Sequence, residues 1–176
     1  AAEIGVNYLA VATLKEAIEL RLNDIKLPIL TLTKDSLEDP NKRIGLRITS
    51  TVCSLESLVS LNTAAKKFNT RAKVHIKVDT GMGRLGLTNE SALELIEKAI
   101  SLPHIELEGL FTHLSKTEKN DKEYTGFQLS QFNSLIETLK AKGIHLPLIH
   151  AANTHAIQYF PESHYSMVRV GLDLYK

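Results

Sequence analysis

The spacing of apolar positions changes rhythm repeatedly along this chain. Val74-His75-Ile76-Lys77-Val78-Asp79-Thr80 alternates with period two. In a strand, that places Val74, Ile76 and Val78 on one face and His75, Lys77 and Asp79 on the other. Short apolar runs predict further strands at Tyr8–Ala12, Ile29–Thr33, Leu46–Val52, Ile105–His113, Pro147–Asn153 and Met167–Leu172.

Between these runs the spacing shifts toward three and four. Thr13-Leu14-Lys15-Glu16 is a capping-box pattern and starts a helix that runs to about Asn23. Ser54 caps a helix through Leu55, Leu58, Leu61 and Ala65. Thr88 or Asn89 opens another, carrying Leu93, Leu95, Ile96 and Ile100 and stopped by Pro103. A longer helix places Phe127, Phe132, Leu135, Ile136 and Leu139 at helical spacing and ends at Gly143. Thr154 to Phe160 is a short helix before Pro161, and the polar segment with Asp35, Glu38, Asp39 and Pro40 is loop or short helix.

Strand and helix alternate throughout, which predicts an α/β fold with a parallel sheet and right-handed crossovers. A doubly wound sheet and a parallel (β/α)8 TIM-type barrel both fit. The polar residues favour the barrel, because His113, Asn153 and Arg169 fall at or near the C-terminal ends of different predicted strands. A barrel needs eight strands and about 250 residues. Seven predicted strands in 176 residues therefore read as an incomplete barrel domain over residues 1–176, part of a longer polypeptide.

Composition narrows the function without identifying it. Hydrophobic content is 43% and charged content 23%, which suit one ordinary core. A net charge of +1 with no long basic run gives nucleic acid and anionic membranes no electrostatic claim. No apolar stretch approaches the roughly 20 residues of a membrane span. The opening Ala1-Ala2-Glu3-Ile4 lacks a signal-peptide pattern, and the single Cys53 cannot form an internal disulfide. Both fit a cytoplasmic protein, with Cys53 expected as a packed core residue.

The chemistry-bearing stretch is Lys77-Val78-Asp79-Thr80-Gly81-Met82-Gly83-Arg84-Leu85-Gly86. Its G-x-G-x-x-G spacing imitates a dinucleotide loop, but that fingerprint runs directly into its helix and is followed by an acidic residue ending the next strand. Here the helix cap comes after Gly86 and the next strand ends Thr112-His113. A tight βα turn needing positive φ explains three glycines but not the arginine between them.

This ten-residue stretch resembles the signature of the bacterial alanine racemase family. The resemblance extends through Leu9–Ala17, Glu108–His113, His150–Thr154 and Met167–Leu172, in order and spacing, and so covers essentially the whole chain. It implies a pyridoxal 5'-phosphate (PLP) enzyme with a barrel domain followed by a β-rich domain, which is absent from residues 1–176. By the resemblance, Lys77 is a support lysine, often carbamylated in the family, that orients Arg84. Arg84 stands near the cofactor phenolic oxygen and the substrate carboxylate. His113 packs beside the PLP ring. Asn153, Thr154, Gly171 and Leu172 hold the phosphate, and Arg169, supported by His150, faces the pyridine nitrogen. Thr154 stands where the family usually has serine, and Asp173 where a small apolar residue is expected.

Arginine has no acceptor lone pair. Opposite the pyridine nitrogen it can only donate, which leaves that nitrogen unprotonated and the electron sink weaker than a carboxylate partner would make it. That suits racemisation over transamination. The implied activity is interconversion of L- and D-alanine, a D-alanine supply for peptidoglycan precursors, by a cytoplasmic homodimer acting on a small amino acid. The implied cofactor-bearing lysine precedes Ala1 and the implied second base, a tyrosine, follows Lys176, so this chain alone is expected to be inactive. Three alternatives remain open on the residues: a serine or broad-specificity racemase, a metal-dependent barrel hydrolase using His75, Asp79, His113 and His150, and a non-catalytic PLP-binding barrel.

Overall fold

The computed structural model of the protein describes residues 5–33, 38–120 and 122–174. Strands are β1 (Leu9–Val11), β2 (Ile29–Thr31), β3 (Ile48–Val52), β4 (Ala72–Lys77), β5 (Ile105–Phe111) and β6 (Leu148–His150). Helices are α1 (Leu14–Leu22), α2 (Pro40–Gly45), α3 (Leu55–Lys67), α4 (Asn89–Ser101), α5 (Lys122–Ala141) and α6 (Thr154–Tyr159). The strands are hydrogen-bonded in the order of the chain, β1 through β6. The pairs β1–β2, β2–β3 and β5–β6 are parallel. A doubly wound sheet reverses its strand order at a switch point. Sequential order is instead that of a β/α barrel wall, so the described residues form a partial (β/α) barrel.

Among the described residues six strands form, not the seven read from the sequence. Met167–Leu172 is irregular chain leading into a single 3-10 turn at Leu172–Leu174. It does follow β6: the Ser166 amide donates to Ile149 O and the Arg169 amide to Ala152 O. Those partners are three residues apart, whereas a parallel ladder repeats every second residue. The Ser166 hydroxyl also accepts the Ile149 N–H at 2.7 Å, where a strand would offer a carbonyl. Tyr165, at φ 45°, breaks the extended backbone just before the segment.

The chain divides into two compact units. The first comprises Ala1–His75 with Leu95–Leu107. In it the predicted capping box is complete: Glu16 N–H donates to the Thr13 hydroxyl at 3.3 Å, and the Glu16 carboxylate accepts the Thr13 N–H at 2.9 Å. The α1 residues Leu14 and Ala17 pack with Ile29 and Ile48. Ser54 caps α3 as expected, and α3 buries Leu58, Leu61, Ala64 and Ala65 on one face. Each buried leucine contributes about 1.5–3 kcal/mol. The proline-led segment from Asp39 resolves as the short helix α2, while Asp35 lies outside the described residues. Cys53 sits just past β3 and is half-buried, not a core residue, because the chain has already left the sheet to enter the α3 cap.

The second unit comprises Ile76–Glu94 with Glu108–Lys176. Its long helix α5 buries Thr125, Gln128, Leu129, Phe132, Leu135, Ile136 and Leu139. Phe127, expected on that stripe, is exposed. It lies about 100° around the helix from Gln128, outside the buried arc. The end of β4 differs from the half-buried strand that alternation implies. His75, Ile76, Lys77 and Val78 are all buried, as both faces of a parallel strand are.

Candidate active site

The loop after β4 is organised by one carboxylate. Asp79 accepts backbone N–H groups of Gly81 at 3.0 Å, Gly83 at 3.1 Å and Arg84 at 3.2 Å. Desolvation alone would raise the Asp79 carboxyl. The N–H groups of Gly81, Gly83, Met82 and Arg84 outweigh it and hold the carboxyl below the usual carboxylate range. The loop then closes on its own strand: Leu87 N–H donates to Lys77 O at 3.0 Å and Asp79 N–H to Leu87 O at 2.9 Å. Gly86, at φ 140°, permits this return. A Cβ there would lie 2.4 Å from the Asp79 nitrogen. The helix follows only at Asn89, with Thr88 as its cap through the Ser91 N–H. The glycine pattern is therefore a βα turn, and its likeness to a dinucleotide loop is one of spacing alone.

Two side chains of the motif are set differently. Lys77 is buried, with Nζ 5.4 Å from the centre of the Phe111 ring. Arg84 is exposed on the loop. Its charge still reaches His113, whose pKa is pushed down to about 4 by desolvation first, then by Arg169, Lys77 and Arg84. His113 is therefore a neutral imidazole near pH 7.

Arg169 ties the ends of β5 and β6 together. Its Nη1 lies 2.7 Å from His150 Nδ1, and its Nη2 donates to Thr112 O and Ala151 O, both at 3.0 Å. His113 Nδ1 is 3.4 Å from the same Nη2. Arginine offers only donors, so both imidazoles present an acceptor nitrogen to it. His150 is fully buried and stacks on Phe111, ring centres 4.7 Å apart and planes within 4°. Burial lowers the Arg169 pKa to about 10, which leaves the guanidinium charged at neutral pH. Among the described residues every partner of that charge is neutral.

At the start of α6, Asn153 accepts the Ala156 N–H at 3.1 Å and donates to Leu114 O at 3.1 Å. The Thr154 hydroxyl oxygen accepts two backbone N–H groups, from Gly171 at 2.9 Å and Leu172 at 3.1 Å. Asn153, Thr154, Gly171 and Leu172, chosen from sequence, are thus brought together, and beside them Arg169. The site holds three cations, Lys77, Arg84 and Arg169, around a neutral imidazole. Such a set suits a ligand carrying phosphate and carboxylate.

Sequence reading missed the residues that brace this set. Gln128 of α5, fully buried, accepts the Ser115 N–H at 2.9 Å and donates to His113 O at 3.3 Å and Thr80 Oγ1 at 3.4 Å. Thr80 and Thr112 hydroxyls meet at 2.8 Å. The available signal was a polar residue at a core position of an otherwise apolar helical stripe. Asp79, placed by alternation on the polar face of its strand, is the organiser of the loop. The residues of the hydrolase alternative form no metal centre: among the described residues no group of three or more His, Cys, Asp or Glu is placed to hold an ion.

Fold and site together define a partial β/α barrel with three cationic side chains, Lys77, Arg84 and Arg169, grouped about His113 near its strand ends. The chain belongs to the alanine racemase family: the model of the alanine racemase N-terminal domain matches residues 1–176. It is 44% identical over 98% of its length to an alanine racemase of Methanococcus maripaludis, covering 47% of that protein. It is 40% identical to one of Clostridium novyi, covering 45% of it. An alanine racemase structure from Clostridium difficile 630, in complex with cycloserine, superposes with a TM-score of 0.94 at 40% identity, over 99% of this chain and 48% of that one. The chain thus spans about half the length of the relatives it matches.

Proposed function

We propose that this chain is the cofactor-binding part of a PLP-dependent racemase that interconverts L- and D-alanine. The observation that carries the proposal is the half-buried Arg169 guanidinium, a full charge whose described partners are all neutral, beside the paired Gly171 and Leu172 amides. The donor set fits the cofactor. The Gly171 and Leu172 N–H groups both meet the Thr154 hydroxyl oxygen, a cluster of two amides and a hydroxyl that suits a phosphate ester taking over those donors, and Arg169 offers a donor and no proton to a ring nitrogen. PLP, when bound, supplies the electron-withdrawing ring that makes the α-proton of an amino acid acidic.

The chain's own residues then divide the work. Asn153, Thr154, Gly171 and Leu172 bind the phosphate. Arg169, held in place by His150 and the carbonyls of Thr112 and Ala151, donates to the ring nitrogen without protonating it. His113, kept neutral by desolvation first and then by the neighbouring cations, packs beside the ring and adds no competing charge. Arg84 takes the substrate carboxylate, and Lys77 supports it. Moving a proton from one face of the α-carbon to the other needs two positioned acid/base groups. We assign these to a lysine and a tyrosine of the complete polypeptide beyond residues 1–176, the tyrosine coming from the second subunit of a cytoplasmic homodimer.

The test is racemisation of L-alanine, followed by loss of optical activity, for the complete polypeptide loaded with PLP and for this chain alone. Activity is expected from the first and none from the second. A complete polypeptide that binds PLP but leaves alanine unchanged, or prefers serine, would overturn the assignment. An active 176-residue chain would make Lys77 the cofactor-bearing lysine.

A further inference from the structure

We infer that Tyr124 and Gln128, one turn apart on α5, are positioning residues that set the glycine loop carrying Arg84 and the backbone of His113. The inference rests on the reading of Arg84 and His113 given above. Residues four apart on a helix share a face, and here that face meets the loop at consecutive positions. The Tyr124 hydroxyl donates to Gly81 O at 2.6 Å. Gln128 Nε2 donates to Thr80 Oγ1 at 3.4 Å and to His113 O at 3.3 Å. Its Oε1 accepts the Ser115 N–H at 2.9 Å and lies 3.0 Å from the Ser115 hydroxyl.

The carboxamide is thereby used completely, two donors and two acceptor directions. Its orientation follows from the network, because a flipped amide would face the Ser115 N–H with another donor. One side chain of α5 thus connects the chain after β4 to the chain after β5. The Thr80–Thr112 hydroxyl pair, at 2.8 Å, closes the same circuit.

Tyr124 holds the other side of the loop. Gly81 sits at φ 131°, and a Cβ there would lie 2.8 Å from the Tyr124 oxygen. The glycine is therefore needed for the approach of the tyrosine as well as for the turn. The Lys116 ammonium lies 5.7 Å from the centre of the tyrosine ring and adds a cation–π contact that steadies it. The loop is gripped from two directions: by Asp79 through its N–H groups, and by α5 through the Gly81 carbonyl and the Thr80 hydroxyl. Arg84 has no burial to fix it. Its placement depends on these two grips.

The experiment uses the complete polypeptide with Tyr124→Phe and, separately, Gln128→Leu. Tyr124→Phe removes one hydroxyl at a partly exposed site and should leave the melting temperature unchanged. It should raise amide hydrogen exchange across residues 80–86 by about tenfold in the cofactor-free protein. In the loaded enzyme, KM for alanine should rise roughly tenfold with kcat within about twofold, because an interaction that orients bound substrate has loosened. Gln128→Leu should raise loop exchange further and lower the melting temperature. Unchanged loop exchange in Tyr124→Phe, or increased exchange with unchanged KM, would overturn the inference. A wild-type protein without racemase activity would overturn the functional reading instead, and the exchange comparison would still decide whether α5 holds the loop.

Discussion

Arg169 donates from Nη1 to Nδ1 of His150 across 2.7 Å, which fixes the imidazole as the tautomer protonated on Nε2. Stacking on Phe111 holds the plane of that ring. A buried aromatic sandwich thus aims the acceptor that aims the arginine.

Replacing His150 by phenylalanine keeps the stack and deletes the acceptor. The guanidinium then retains its two carbonyl partners but loses one of its bonds in a buried place. A loss of about 1–3 kcal/mol is expected in denaturant unfolding. Equal stability of the two proteins would show that the pair contributes nothing to holding Arg169.

The depressed pKa of His113 has a defined sign for stability. Below the ordinary value of 6.5 the unfolded chain takes up a proton that the folded site refuses until about pH 4. The unfolded state binds more protons in that window, so stability falls as pH drops from 6.5 to 4, and is complete above it. His113→Gln should flatten this part of the stability profile. Imidazole nitrogen resonances should show His113 neutral at pH 6.

The loop glycines should differ sharply. Gly86→Ala drives a Cβ to 2.4 Å from the Asp79 nitrogen at φ 140°, and the obstacle is backbone. Loss of more than about 3 kcal/mol, or failure to fold, is expected. Gly83, at φ 71°, has nothing within 4 Å of the added carbon. Its alanine variant should cost only the left-handed penalty, about 1–2 kcal/mol. Both are read from unfolding midpoints.

Thr154 separates hydroxyl chemistry from shape. Thr154→Ser keeps the oxygen that accepts the Gly171 and Leu172 N–H groups, and PLP affinity should stay within about twofold. Thr154→Val keeps the shape and deletes the hydroxyl that donates to the phosphate, and affinity for PLP should fall by about tenfold or more. Absorbance titration of the complete polypeptide with PLP measures both.

The alternation of strand and helix, the caps at Thr13 and Ser54 and the turn-forming glycines are local properties, each set by a few neighbouring side chains. They were legible in the chain as written, and so were the motif residues Lys77, Arg84, His113, Asn153, Thr154 and Arg169. Element ends were less so, because alternation continues past the last ladder bond: Val78 and Leu87 form an isolated bridge beyond β4. The segment at Met167–Leu172 has strand-forming residues, yet a strand also needs a partner offering bonds at every second residue, and the order Ser166–Ile149, Arg169–Ala152 does not.

What the sequence determined by itself was therefore the kind of fold, the family it resembles and the residue types at the site, since these follow from periodicity and from short motifs read along one dimension. Only the tertiary structure decided how those residues act on one another. That His113 is neutral and that Gln128 links Thr80 to His113 depend on groups 15 to 56 positions apart meeting at hydrogen-bond distance and on the water they lose in doing so. Desolvation and long-range hydrogen bonding have no local signature in a chain, and they are what turned a glycine-rich turn into one wall of a site.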